Sequence, residues 1–180
     1  MESPTHPGEP TERSRLAFEG RLFDVRVDTV RLASGRRTTR EIVVAPDSVC
    51  VVPVDQEGNV YLVKQYRKPP ERLLLEVVAG GIDEGESADD AARRELREEA
   101  GLTAERLELL SFFWMSPGFC TEGMHAYLAT GLRMGETAPE EDESIEVVRV
   151  RLADVPNLIV AGQIQDCKSI AALMLALSKL

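Results

Sequence analysis

Between Gly80 and Leu102 the chain reads GGIDEGESADDAARRELREEAGL, and no other stretch constrains the fold as tightly. Its ends carry their own signals. Ser87 stands three residues before Asp90 and can cap a helix, while Gly101 can take the left-handed conformation that closes one. The spacing predicts a helix from Ser87 to Ala100. Within it Ala88, Ala91, Ala92 and Leu96 recur on one side, as a helix laid against a sheet requires. Glu95, Glu98 and Glu99 fall three and four residues apart, so their carboxylates share another side. Like charges at that spacing each cost a helix about 0.2–0.5 kcal/mol unless a cation sits among them. Mg²⁺ suits the purpose, because it prefers oxygen ligands and completes its octahedron with carboxylates, phosphate and water. Taken alone, a glutamate-rich run also reads as a solvated helix face with internal pairs such as Arg94 to Glu98.

The segments on either side set the fold class. Residues 1–14, rich in proline and without apolar periodicity, are expected to form a flexible tail outside the fold. FDVRVDTVRL alternates, Ser34 and Gly35 supply a turn, and TTREIVV resumes an extended run, so 15–45 reads as a small antiparallel β element. Ser48 to Val54 and Val60 to Tyr66 flank DQEGN, the pattern of a hairpin. An extended run follows at Leu73 to Val78, with further strands expected at Leu107 to Trp114, His125 to Leu132 and Ile145 to Leu152. A closing helix is expected over Asp166 to Leu180. Strands interleaved with two helices make 46–180 a layered α/β or α+β domain.

The chain has 180 residues, enough to bury a core without disulfides, and its 43% hydrophobic and 29% charged content is that of a globular protein. Cys50, Cys120 and Cys167 are odd in number and far apart, which argues against a disulfide framework or a CxxC zinc site. A net charge of −10 would repel a nucleic-acid backbone, so no nucleic-acid partner is expected. An anionic small substrate would need local cations, from arginine or a metal. The longest apolar stretches are far too short to span a bilayer, and MESPTHPGEPTERS has no apolar signal region; a cytoplasmic setting without membrane partners is expected.

Gly80, Glu86, Arg94, Glu95, Leu96, Glu98, Glu99, Gly101 and Leu102 satisfy every fixed position of the pattern G-x5-E-x7-R-E-U-x-E-E-x-G-U, where U is a bulky aliphatic residue. In this the chain resembles the Nudix hydrolase family. The resemblance implies an α/β fold, an α/β/α sandwich with a mixed sheet, to which the small N-terminal antiparallel β element is added. It implies Glu95 and Glu99 as the principal metal ligands, helped by Glu98, Glu86 and the carbonyl of Ala79, with Glu98 and Glu99 also catalytic. Arg94 is implied as a structural partner that holds a carboxylate in place. The implied cofactor is Mg²⁺, with Mn²⁺ as a substitute; two ions about 3.5–4 Å apart would clamp the attacking and leaving oxygens of a diphosphate.

Other segments resemble the ADP-ribose pyrophosphatase-like subgroup: TREIV with Arg40, QYR ending at Arg67, LEVVAGGIDEGE with Glu76, and MSPGFCTEGMHAYLA with Pro117, Gly118, Phe119 and Glu122. Val78 departs from the pattern, since many members have proline there. The implied reaction is Mg²⁺-dependent conversion of ADP-ribose to AMP and ribose 5-phosphate, with these residues as substrate contacts. Arg67 can fork onto phosphate oxygens or be an ordinary surface arginine. Glu76 can orient an arginine, touch sugar, or be a polar strand residue, and the proline–glycine pair by itself is a turn signal. In GETAPEEDESIEVVRV, Glu141 and Glu143 are the alternatives for a further ligand or general base, although the run also reads as a solvated loop. His125 is given no catalytic role. The subgroup implies a homodimer through the N-terminal β element, and a ribbon that small must pack on something. Competing readings are hydrolysis of another nucleoside diphosphate sugar or a dinucleotide, and, in a different class, a non-catalytic nucleotide sensor.

Overall fold

Each of the two edges of the strand Ser48–Pro53 is occupied by a neighbour, and that arrangement organises the larger part of the molecule. The computed structural model describes residues 8–135 and 145–180. Its strands run β1 (Thr11–Phe18), β2 (Asp24–Arg31), β3 (Arg37–Val44), β4 (Ser48–Pro53), β5 (Asn59–Arg67), β6 (Arg72–Glu76), β7 (Val78–Gly81), β8 (Leu102–Trp114), β9 (Gly123–Met134) and β10 (Ile145–Arg151). Its helices are α1 (Ala88–Ala100), α2 (Val155–Val160), which follows a 3₁₀ turn at Leu152–Asp154, and α3 (Cys167–Lys179). Two units separate: one holds the residues up to Pro46 with Trp114–Glu122, the other Asp47–Phe113 with Gly123–Leu180.

In the larger unit β4 pairs antiparallel with β7 and parallel with β9, within a four-stranded sheet of order β7-β4-β9-β8. Val49, Val51 and Val78 meet Ala91, Ala92, Leu96 and Ala100 of α1 in one buried cluster. Cys50 and Val52 alternate to the other face of β4, and α3 packs on β4 and β9. Helices therefore cover both faces of a mixed sheet, the α/β/α arrangement expected, and β4 is apolar from Val49 to Pro53 because it is buried on both sides there. A second, antiparallel sheet of order β10-β5-β6 contributes Val63 to the α1 cluster, so α1 is packed from two directions. Ser87 accepts from the Asp90 N–H and Gly101 takes φ 63°, so α1 starts and stops where its cap residues dictate.

Two expectations need correction. Ser48 to Val54 and Val60 to Tyr66 do not form a hairpin ladder: β4 and β5 lie in different sheets and meet only in a bridge between Val54 and Val60. The turn is real, since Asp55 accepts from the backbone N–H groups of Glu57 and Asn59. Both edges of β4 are already paired, however, and Pro53 has no N–H to extend the ladder. The other correction concerns residues 1–14, of which 1–7 lie outside the described residues. Strand β1 begins at Thr11, inside the segment expected to be a tail. It is an edge strand of the sheet β1-β2-β3, exposed throughout, and it is held by its ladder to β2 and by ion pairs of Glu12 with Arg31 and Arg37. Apolar periodicity could not reveal a strand that buries no apolar face. Among the described residues no helix is long and apolar enough to cross a membrane.

Candidate active site

The loop from Gly81 to Ser87 and the helix α1 gather four carboxylates. Arg94 projects from α1 into their midst. Its Nε and Nη2 donate to the two oxygens of Glu86 at 3.0 and 2.9 Å. Its Nη1 donates to Glu95 at 2.5 Å and to Glu98 at 3.3 Å, and Nη2 also reaches the Gly81 carbonyl at 2.9 Å. Glu98 has a second partner in Arg97 at 3.0 Å. The Arg94 guanidinium holds the Glu86 carboxyl below the usual carboxylate range. Glu86 in turn raises the pKa of Arg94, so the arginine stays charged at any working pH. Glu86 also accepts from the Asp83 N–H at 3.1 Å, which closes the loop ahead of the helix.

Glu99 is treated differently. It is 5% exposed and accepts from the backbone N–H of Ala79 at 3.1 Å, tying α1 to β7. Glu95 lies against the next residue: a Cβ added to Gly80 would stand 2.0 Å from its Oε1. Only glycine leaves room for the carboxylate there. The fixed glycine of the motif is therefore a statement about Glu95, which the sequence did not reveal. Tyr127 donates from its hydroxyl to Asp89 at 2.8 Å and pins the first turn of α1 to β9.

These groups offer carboxylate oxygens and no thiolate or imidazole, the donor set of a hard divalent cation. Among the described residues no three of them already converge as metal ligands. Arg94 is the cation that Glu86, Glu95 and Glu98 share here. The residues fit such an ion in the kind and number of their oxygen donors, three on α1 and one on the loop before it, with Gly80 leaving the space that the Glu95 carboxylate fills.

Arg67 and Glu76 form a second group in the same unit. Arg67 donates through Nε and Nη2 to the two oxygens of Glu76, at 3.0 and 2.8 Å. Glu76, 1% exposed, thus orients an arginine, one of the alternatives left open by its sequence. Burial pushes its carboxyl up, but Arg67 and Lys168 outweigh that and hold it below the ordinary range. Lys168 and Ser169 were missed from the sequence. The available signal was a lysine two residues after the capping Asp166, in the first turn of an otherwise apolar helix.

Arg40, Pro117, Gly118, Phe119 and Glu122 belong to the smaller unit. Arg40 forks onto Glu9 at 2.9 and 2.7 Å. Ser116–Phe119 forms a turn closed by the Phe119 and Cys120 N–H groups on the Ser116 carbonyl, so Pro117 and Gly118 do act as a turn. That turn joins the end of β3 through Val43 N–H to the Phe119 carbonyl at 2.8 Å. Arg40, Pro117, Gly118 and Phe119 consequently line one groove of about 350 Å³ with Arg26 and Ile42. The Glu122 carbonyl accepts from Met115. Glu141 and Glu143 lie outside the described residues. His125 stands edge-on to Phe112 at 4.9 Å between ring centres, a packing position.

Two family models match the chain, one up to Val43 and one after it. The NUDIX domain model matches residues 44–169, and the nucleoside diphosphate sugar hydrolase N-terminal domain model matches residues 9–43. The chain is 40% identical over 167 residues to an ADP-ribose pyrophosphatase of Bacillus subtilis, across 92% of this chain and 90% of that one. It is 37% identical over 166 residues to a methanol dehydrogenase activator of Bacillus methanolicus, across 91% and 90%. A crystal structure of an ADP compounds hydrolase superposes with a TM-score of 0.89 at 27% identity, covering 99% of this chain and 97% of that one.

The contact at Gly80 yields a test that separates function from stability. In Gly80→Ala the added methyl displaces the flexible end of Glu95, so unfolding free energy should change by no more than about 1 kcal/mol. Activity should fall about a hundredfold, the scale of a 1 Å misplacement at a reacting centre. Retained activity in urea-characterised, folded Gly80→Ala would show that the position of Glu95 is immaterial.

Proposed function

The chain belongs to the Nudix hydrolase family, and from that premise we propose that it hydrolyses the diphosphate linkage of ADP-ribose, giving AMP and ribose 5-phosphate, with Mg²⁺ as cofactor and Mn²⁺ as a substitute. The observation that carries this reading is the cluster of Glu86, Glu95 and Glu98 around Arg94, with Glu99 fixed on the Ala79 N–H. Similarity to an ADP-ribose pyrophosphatase over nearly the whole chain supports the substrate. The matched N-terminal domain model is described for nucleoside diphosphate sugars, which keeps another compound of that class as the second substrate reading.

Glu95 and Glu99 would hold the cation, with Glu98, Glu86 and the Ala79 carbonyl completing the oxygen set. When bound, the ion supplies Lewis acidity and positive charge to the phosphoryl oxygens. Arg94 keeps the carboxylates from repelling one another and preserves their arrangement when no substrate is present. Water attacks one phosphorus, the bond from that phosphorus to the bridging oxygen breaks, and a carboxylate takes the proton of the attacking water. Glu98, Glu141 and Glu143 are the proposed bases, each requiring hydrogen-bond reach to that water. Arg67, oriented by Glu76, is the proposed phosphate contact. In the smaller unit Arg40, Pro117, Gly118, Phe119 and Glu122 are proposed substrate contacts.

A cytoplasmic homodimer through the N-terminal β element completes the proposal. Leu16, Phe18, Leu22 and Phe23 of that element are all largely exposed, an apolar surface suited to a second copy. A sedimentation mass of one chain at micromolar concentration would remove the dimer.

A turnover panel of ADP-ribose, other nucleoside diphosphate sugars and dinucleotides, read by product identity with and without Mg²⁺, tests the reaction. ADP-ribose should give the highest kcat/KM and chelation should abolish turnover. Glu99→Gln should lower kcat by about a thousandfold or more while the protein stays folded. A wild-type rate in Glu99→Gln would take the helix carboxylates out of the mechanism. The relative named as an activator favours one other reading, a nucleotide-responsive regulator. Tight ADP-ribose binding with no product in either metal would favour that reading instead.

A further inference from the structure

Lys168 takes no part in holding a metal or moving a proton, yet it occupies a position that is costly for a lysine. It sits in the first turn of α3, where the positive end of the helix dipole opposes a cation. Its side chain is only 13% exposed. Two carboxylates offset these costs: Nζ donates to Glu76 at 2.5 Å and to Asp166, the cap of the same helix, at 2.9 Å. Burial works against its charge, but Asp166 and Glu76 outweigh it and keep the ammonium protonated. The neighbouring Ser169, fully buried, accepts the Val77 N–H at 2.9 Å. The start of α3 therefore grips two consecutive residues, Glu76 and Val77, just before the β7 segment that meets Glu95 and Glu99.

The position of Glu76 gives this grip a consequence for binding. Glu76 alone would neutralise Arg67, because the fork engages both carboxylate oxygens. Lys168 binds the same carboxylate while Asp166 balances the lysine's own charge, so the four groups are neutral together and Lys168 acts on Arg67 by fixing Glu76. We propose that Lys168 is a positioning residue for substrate binding: by gripping Glu76 it fixes the carboxylate that holds the Arg67 guanidinium in place for a diphosphate. This rests on the assignment of Arg67 to phosphate under the proposed function. Asp166 and Ser169 set the lysine in turn, through the helix cap and the Val77 contact.

The test combines ADP binding by calorimetry with steady-state kinetics on ADP-ribose, using the full chain. Lys168→Met should raise the ADP Kd and the KM about tenfold with kcat within about threefold, the pattern of lost uniform binding. Lys168→Gln, which keeps a polar head, carries the comparison if Lys168→Met does not fold, and Lys168→Arg should recover most of the affinity. In an Arg67→Gln background, Lys168→Gln should add less than about a twofold loss, since the two act as one unit. Unchanged affinity in folded Lys168→Gln, or full additivity with Arg67→Gln, would overturn the proposal. If ADP binds with this coupling but no diphosphate is cleaved, the hydrolytic reading fails and the positioning role stands. Absence of ADP binding by the wild type would overturn both.

Discussion

A single guanidinium draws together the carboxylates gathered at one edge of α1. Glu95, Glu98 and Glu99 share one side of α1, and Glu86 approaches from the preceding loop. In water such carboxylates would spread apart. Arg94, extending from within the same helix, meets three of them and a backbone carbonyl, while the fourth is buried on a backbone N–H. The arrangement concentrates negative charge without unfolding the helix that carries it. A protein with a net charge of −10 needs a cation to draw a diphosphate to such a surface, and Arg94 is already committed to the carboxylates. A divalent ion answers that need because it can bind carboxylate and phosphate oxygens together.

The rest of the larger unit serves the position of that helix edge. Small side chains at Ala91 and Ala92 let α1 approach β4 and β7 closely, and Leu96 fills the space between them. β7 then brings Ala79 and Gly80 to the carboxylates, one through an N–H and the other through the absence of a side chain. On the opposite face of β4, α3 secures the residues just before β7 through Ser169 and Lys168. Thus the two helices of the sandwich control successive parts of one short segment, from Glu76 to Gly80.

Much of this was legible in the residue pattern, for a physical reason. Cap chemistry, apolar spacing and carboxylate spacing are all local, and they coincide in Gly80 to Leu102; the helix and its buried side followed directly. The N-terminal β ribbon was legible from alternation at β2, whereas β1 was hidden because its stability comes from an edge ladder and ion pairs. The separation of β4 from β5 was illegible for a different cause: which strands occupy the edges of β4 is decided by β7 and β9, distant in sequence. The Glu76 group was half legible. Arg67 and Glu76 stood out through the segments QYR and LEVVAGGIDEGE, but their link to Lys168 spans from β6 to α3 and leaves only a misplaced lysine as its trace.

The central claim is that the carboxylates along α1 grip divalent ions around a pyrophosphate, and a crystal structure with Mg²⁺ and a non-hydrolysable ADP-ribose analogue tests it most directly. Oxygens of Glu95 and Glu99 should lie about 2.0–2.1 Å from an ion that also contacts the diphosphate. A fully bound analogue with its diphosphate remote from these side chains, and no ion beside them, would contradict it.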